Sequence, residues 1–535
     1  MSTRQVWSQT GGRATINDAG GLCNLTTTEL SPHPARRGCA SREIVEALIA
    51  RREELGTGVP AFVLGLDAEA RAAADDADRR LASGERSPLM GLPISVKENI
   101  DVAGTASTLG LSARRDHRAD TDAAVVRCLR EAGAVVLGKT NVPQSLLSVE
   151  TTNFLFGTTP NPWSRERAPG GSSGGEAAAL ASGQSVLGIG TDIGGSLRIP
   201  AAFCGVAALK PTEHRWSNLG SRTAIAGQES IRSQIGPMAR TSADVALLFE
   251  ALESSRFAAQ DPFVPPVRNP SAAGVDVSKL RVGFWESDGL LTPAASVMRG
   301  VRAAAKHLAD DGADVVEVDP ENARRLTWLF FAILSADGGR TLDAALQGER
   351  VIPPLRRIKR LASLPNRARR ALALAMLVLG EERSAYLLDA LGEKSVGQLW
   401  RLTSERGALR QRELEFFERH RLDVVVCPAF ATPALQHGSS ADFSVGACYS
   451  MRYNVLNFPA GVVPVTRVRT NETERSELRD RLDRTARSIE QGSAGLPVGV
   501  QVVGRPHCEH HVLAAMLAIE ARARTGQDFP ETPCP

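Results

Sequence analysis

The stretch from Pro169 to Pro211, PGGSSGGEAAALASGQSVLGIGTDIGGSLRIPAAFCGVAALKP, limits what this chain can fold into more than any other part of it. It is rich in glycine and serine, yet apolar runs interrupt it at intervals, which a flexible linker would lack. Two glycine clusters each end on serine: Gly170, Gly171, Ser172, Ser173, and then Gly194, Gly195, Ser196. Glycine permits positive φ and lets backbone N–H groups approach another molecule closely. Successive N–H groups in such turns can form a nest for an anionic oxygen, the charge that the tetrahedral intermediate of acyl transfer develops. Ser185 to Gly190 reads as a short buried strand, and Thr191 to Ser196 as a tight turn at its end, where α/β sheets commonly bind ligands. GGSSGG alone is more often a plain turn; the second cluster shifts the reading toward covalent acyl chemistry on a serine.

These residues carry a family resemblance. GGSSGG followed by TDIGGSLRIPAAFCGVAALKPT resembles the amidase signature family of serine hydrolases, which use a Ser-Ser-Lys triad in place of Ser-His-Asp. A third segment fits it: Leu92 to Val96 is strand-like and leads into Lys97, Glu98 and Asn99, matching the family pattern of a strand followed by VK(E/D)NI. A lysine at a strand end is usually a surface residue, so its role is carried by the match. The resemblance implies Ser196 as nucleophile, Ser172 as bridging proton relay and Lys97 as general base, with the Gly171-Ser172 peptide cis. It also implies oxyanion donors at Ile193, Gly194, Gly195 and Ser196. Asp192 and Arg198 are expected to pair and brace the turn, Ser173 to hold Lys97, and Thr191 to support the site. No cofactor and no metal are expected.

Two other motifs match by letter and fail by context. GAVVLGKT, Gly133 to Thr140, fits the P-loop expression, but its central residues are strand formers and Pro143 interrupts any helix after it. GxSxG fits around Ser172 and Ser173, but the proline-broken NPWSRERAPGG precedes it where a nucleophile elbow needs a strand.

The chain has 535 residues, 43% apolar and 23% charged, with a net charge of +3, which suits a globular protein and does not suggest a nucleic-acid partner. Its eight cysteines show no CxxC spacing and read as reduced thiols. The first forty residues contain no apolar run suited to a signal peptide or span, so residues 1–40 are expected to form a loose N-terminal arm on a cytoplasmic, non-secreted protein. Ser41 to Arg52 reads as a helix with Ser41 as N-cap, and Gly236 to Arg240 as the opening of a helix through Leu252. Strand-like runs at Arg281, Val315, Asp423, Gly461 and Gly499 alternate with helical segments, which predicts an α/β architecture. The resemblance implies one large amidase-signature domain over residues 41–530, with a twisted mixed sheet covered by helices.

Residues 351–380 carry seven Arg or Lys and no acid, and Pro365 divides them into two short helices, the second ending in nine apolar residues, Ala371 to Leu379. Nine residues cannot span a bilayer, which needs about twenty. A cationic, apolar helix pair suits one leaflet of an anionic membrane, and equally a core helix with a solvated basic face. NVPQSLLSVE from Asn141, LFGTTPNPW from Leu155, SADGGR from Ser335 and YSMRYNVLNFPAGVVPVT from Tyr449 resemble the fatty acid amide hydrolase branch of the family. That branch implies a membrane-resting helical cap at 351–380, an acyl channel lined by Leu146, Leu147 and Val149, a homodimer, and lipid amides as substrates. Membrane contact would then be peripheral and reversible. A general small-amide amidase and the glutaminase subunit of a tRNA-dependent amidotransferase are the alternatives.

Overall fold

Short β-branched runs separated by amphipathic helices assemble into one sheet that buries both faces. The computed structural model describes Cys23, Thr27 and residues 39–531, so the expected N-terminal arm, like Cys534, lies almost wholly outside the described residues. Eleven strands form the sheet: β1 (Phe62–Gly65), β2 (Pro93–Lys97), β3 (Val135–Thr140), β4 (Leu187–Asp192), β5 (Ala207–Lys210), β6 (Gln234–Ala239), β7 (Arg281–Phe284), β8 (Asp314–Glu317), β9 (Val424–Pro428), β10 (Ala460–Arg467) and β11 (Pro497–Gly504). They lie in the order β1-β3-β2-β4-β6-β5-β10-β11-β9-β7-β8. Pairing is mixed: β3, β2 and β4 are mutually parallel, as are β9, β7 and β8, while every step from β4 through β6, β5, β10 and β11 to β9 is antiparallel.

Alternation along the strands divides the core. Val424 and Val426 pack on one face with Ile94, Val96, Leu187 and Ile189. Val425 and Cys427 pack on the other with Ala208, Val462 and Phe330. Helices cover both layers, as a sheet with apolar residues on both faces requires.

Two sequence expectations are corrected here. Ser41 opens the helix Ser41–Leu55 but does not cap it; Ala40 holds the cap position, and the Ser41 hydroxyl has no partner. The first donors go instead to carboxylates, Ala40 N–H to Glu43 (2.9 Å) and the Ser41 and Arg42 N–H groups to Asp78 (2.7 and 3.1 Å). Gly236 to Ala239 belongs to strand β6, and the helix begins at Ser242 with the Thr241 side chain accepting from Asp244 N–H. Pro237 is tolerated because the ladder to β5 covers only Met238 and Ala239.

Candidate active site

The site lies where parallel neighbours β2 and β4 end side by side. Lys97 closes β2, and Thr191 and Asp192 close β4, two residues further along than the sequence suggests. Between them runs Pro169 to Ser173, feeding helix α1 (Gly174–Ala181). The Gly171-Ser172 peptide is cis. Gly171 is needed for close approach, since a Cβ there would lie 2.3 Å from the Ser148 carbonyl oxygen.

Lys97 is fully buried. Its Nζ lies 2.8 Å from Ser172 Oγ, 2.7 Å from Thr191 Oγ1 and 3.3 Å from the Thr191 carbonyl oxygen. Burial disfavours the ammonium and pulls its pKa from 10.5 down to about 7, although Asp192, Glu176 and Glu98 pull the other way. Ser173 forms no hydrogen bond to Lys97, contrary to expectation. Its hydroxyl donates to the Thr191 carbonyl (3.2 Å), so it fixes the strand end, and Thr191 holds the lysine.

The second glycine cluster folds around Asp192. Its carboxylate accepts from the N–H groups of Gly195 (2.8 Å) and Leu197 (3.1 Å), from Asn454 Nδ2 (2.9 Å), and from Arg198 Nε (2.9 Å) and Nη2 (3.0 Å). Burial would raise this carboxyl's pKa, but Arg198, Lys210 and Asn454 hold it well below the usual range. Arg198, in turn, donates to the Ser450 carbonyl, Gln501 and Asn454. The expected Asp192–Arg198 pair therefore forms, within a network whose partners sequence reading missed: Ser450, Asn454 and Gln501. Asp192→Ala strands a buried guanidinium and is expected to cost about 3–5 kcal/mol of unfolding free energy, read as a lower urea midpoint.

The Gly195 N–H is thus committed to Asp192 and is not available to an oxyanion, which corrects that assignment. Among the described residues, the N–H groups of Ile193, Gly194 and Ser196 have no protein acceptor. Ser196 is half-buried, and its hydroxyl bonds to no described residue. Ser172 and Ser196 are not hydrogen-bonded to each other, but Ser173 N–H donates to the Ser196 carbonyl (3.1 Å), which ties the two loops together.

Two cavities meet at Ser196. The apolar one is lined by Leu146, Leu147, Val149, Ile193, Phe330 and Phe331 and encloses about 1030 Å³ including its open mouth. All three predicted channel residues line it. Phe330 and Phe331, which sequence reading passed over, come from helix α2 (Ala323–Leu334). The second cavity is more polar than the first, with Asn99, Ser172, Ser221, Arg222 and Gln228 in its wall beside Leu146, Leu147 and Ile225.

A further apolar hollow shares Phe331, Ile358, Leu391 and Ser444 with the first and opens beneath helices α3 (Pro353–Ala362) and α4 (Asn366–Val378). On α4 and just past its end, Leu374, Val378 and Leu379 are 63%, 82% and 77% exposed, so this is not a core helix. No helix among the described residues is long and apolar enough to cross a membrane.

A buried amine beside one serine loop and a second, half-buried serine at an apolar cavity stand together where the two strands end. The sequence profile of the amidase family matches residues 43–513, and the chain belongs to that family. It is an amide-hydrolysing enzyme similar to the fatty acid amide hydrolases. It is 36% identical to fatty-acid amide hydrolase 1 of Sus scrofa over 445 residues, covering 82% of this chain and 76% of the relative. Fatty acid amide hydrolase 1 of Caenorhabditis elegans is 34% identical, with 87% and 82% covered. A solved fatty acid amide hydrolase superposes with a TM-score of 0.80 at 24% identity, over 94% of this chain and 86% of that one, and shows the fold.

Proposed function

We propose that this enzyme hydrolyses long-chain fatty acid amides and N-acylethanolamines to a fatty acid plus ammonia or ethanolamine, through an acyl-enzyme on Ser196. The observation that carries the reading is a buried Lys97 amine in contact with Ser172 beside an apolar cavity that holds Ser196. A serine hydroxyl attacks an amide only as a base takes its proton. A neutral amine has two N–H bonds and one lone pair. Directed at the two oxygens of Thr191, the N–H bonds leave the lone pair for the Ser172 hydroxyl.

Ser196 Oγ bonds to the substrate carbonyl carbon as its proton passes to Ser172 Oγ, whose own proton passes to Lys97 Nζ. Substrate binding has to close the gap between the two hydroxyls, as catalytic contacts commonly do on complex formation. The oxyanion takes hydrogen bonds from Ile193, Gly194 and Ser196 N–H. Collapse breaks the C–N bond while Ser172 returns a proton to the leaving nitrogen, with Lys97 reprotonating Ser172. Water then enters by the same relay, frees the fatty acid and restores the Ser196 hydroxyl.

Acyl chains fit the apolar cavity, and the amine side of the substrate fits the more polar one. The exposed residues of α4 and the basic residues of α3 suit an anionic lipid surface, from which the apolar hollow leads toward Ser196. A panel of amides graded by acyl length, assayed with and without anionic vesicles, tests the reading. Oleoyl amides are expected to show the highest kcat/KM, and Val378→Asp/Leu379→Asp to abolish vesicle flotation. Faster cleavage of short aryl or aliphatic amides makes this a general amidase instead.

A further inference from the structure

One fully buried carboxyl beside the site has no part in the scheme above. Glu176 sits in the first turn of α1, four residues after Ser172. Ser95 Oγ hydrogen-bonds its Oε1, and Thr140 Oγ1 donates to its Oε2 at 2.6 Å. Both partners flank Lys97. Ser95 precedes it by two on β2 and so shares its face, and Thr140 is its registered partner on parallel β3. The two residues that hold the carboxyl thus sit about 5–7 Å along and across the sheet from the Cα of Lys97. The carboxyl lies flat against β4, where a Cβ on Gly188 would fall 2.2 Å from Oε1.

Other charges packed around α1 are engaged elsewhere. On β4 and the turn after it, Asp192 and Arg198 bind each other. On β3, Lys139 Nζ donates to the Ala106 carbonyl and Ser107 Oγ. Glu98, just past β2, accepts from the Thr108 and Leu109 N–H groups. Arg51 and Arg240 donate to the Ser182 and Ser185 carbonyls at the far end of the helix. The charge of Lys97 reaches Glu176, and burial lifts this carboxyl to about 7, where it titrates in the same range as the amine.

We propose that Glu176 is a positioning residue with two effects: it pins the serine-bearing end of α1 to β2 and β3, and its charge raises the pH at which Lys97 becomes a base. The second effect rests on the assignment of Lys97 as base. An ionised Glu176 favours the ammonium, so neutralising it lowers the pH at which the amine is free.

The test is the rate at which a fluorophosphonate labels Ser196, measured from pH 5 to 9, because this reads nucleophile activation without any amide substrate. In the wild-type enzyme the rate should rise through about pH 7. Glu176→Gln is expected to move that rise to lower pH by about one unit. Thr140→Val, which removes one donor to the carboxylate, should move it less in the same direction, and it carries the test if Glu176→Gln does not fold. A folded variant whose rate falls while its rise stays at the wild-type pH overturns the electrostatic role. A wild-type rate flat across this range overturns the base assignment, and the proposal with it.

Discussion

Ser196→Ala is expected to lower kcat for amide hydrolysis by about 10⁴-fold or more, because the proposed mechanism forms the acyl-enzyme on that oxygen. The loss should come without a loss of fold. The Ser196 hydroxyl bonds to no described residue and faces a cavity, so its removal leaves no buried group unpaired. The urea midpoint should stay within error of the wild-type value, and binding of a non-hydrolysable oleoyl ligand should persist. A variant that keeps full hydrolysis contradicts the assignment.

Lys97→Arg is expected to cost about 10³-fold or more, similar to Lys97→Ala, although it keeps a cation in place. A base has to shed its proton within the working pH range. Burial brings the lysine to about 7, whereas guanidinium stays charged at any pH the fold survives. In the proposed mechanism the neutral amine is the active form, so wild-type kcat/KM should rise as pH increases through about 7, well below the 10.5 of a free lysine. Both variants should lose that rise. An arginine enzyme with near wild-type activity would mean that position 97 supplies charge and not basicity.

Much of this site is written locally. The two serine loops lie in short glycine-rich stretches that point to acyl chemistry, the family resemblance singles out Lys97, and the structure brings Lys97 to Ser172 at 2.8 Å. What could not be read locally depends on distant contacts. Asn454 and Gln501 reach Arg198 across sequence separations of 256 and 303 residues. Nothing about an asparagine in a helix or a glutamine in a valine-rich strand announces such a partner. The Gly195 N–H could be placed among the oxyanion donors only while the direction of the Asp192 carboxylate was unknown. Strand β5, Ala-Ala-Leu-Lys, has no β-branched residue and β1, Phe-Val-Leu-Gly, has one, so their neighbours in the sheet define them. Gly236 and Pro237 read as helix-opening punctuation, yet tertiary pairing with β4 draws them into a strand. Phe330 and Phe331 lie on an amphipathic helix whose periodicity marks a buried face without saying that the face borders a cavity.

The most direct test of the account is mass spectrometry of the enzyme quenched during turnover of an oleoyl amide. An oleoyl group is expected in ester linkage to Ser196, diminished in Lys97→Ala and absent in Ser196→Ala. An acyl group on any other residue, or full turnover with Ser196 never acylated at any quench time, would contradict it.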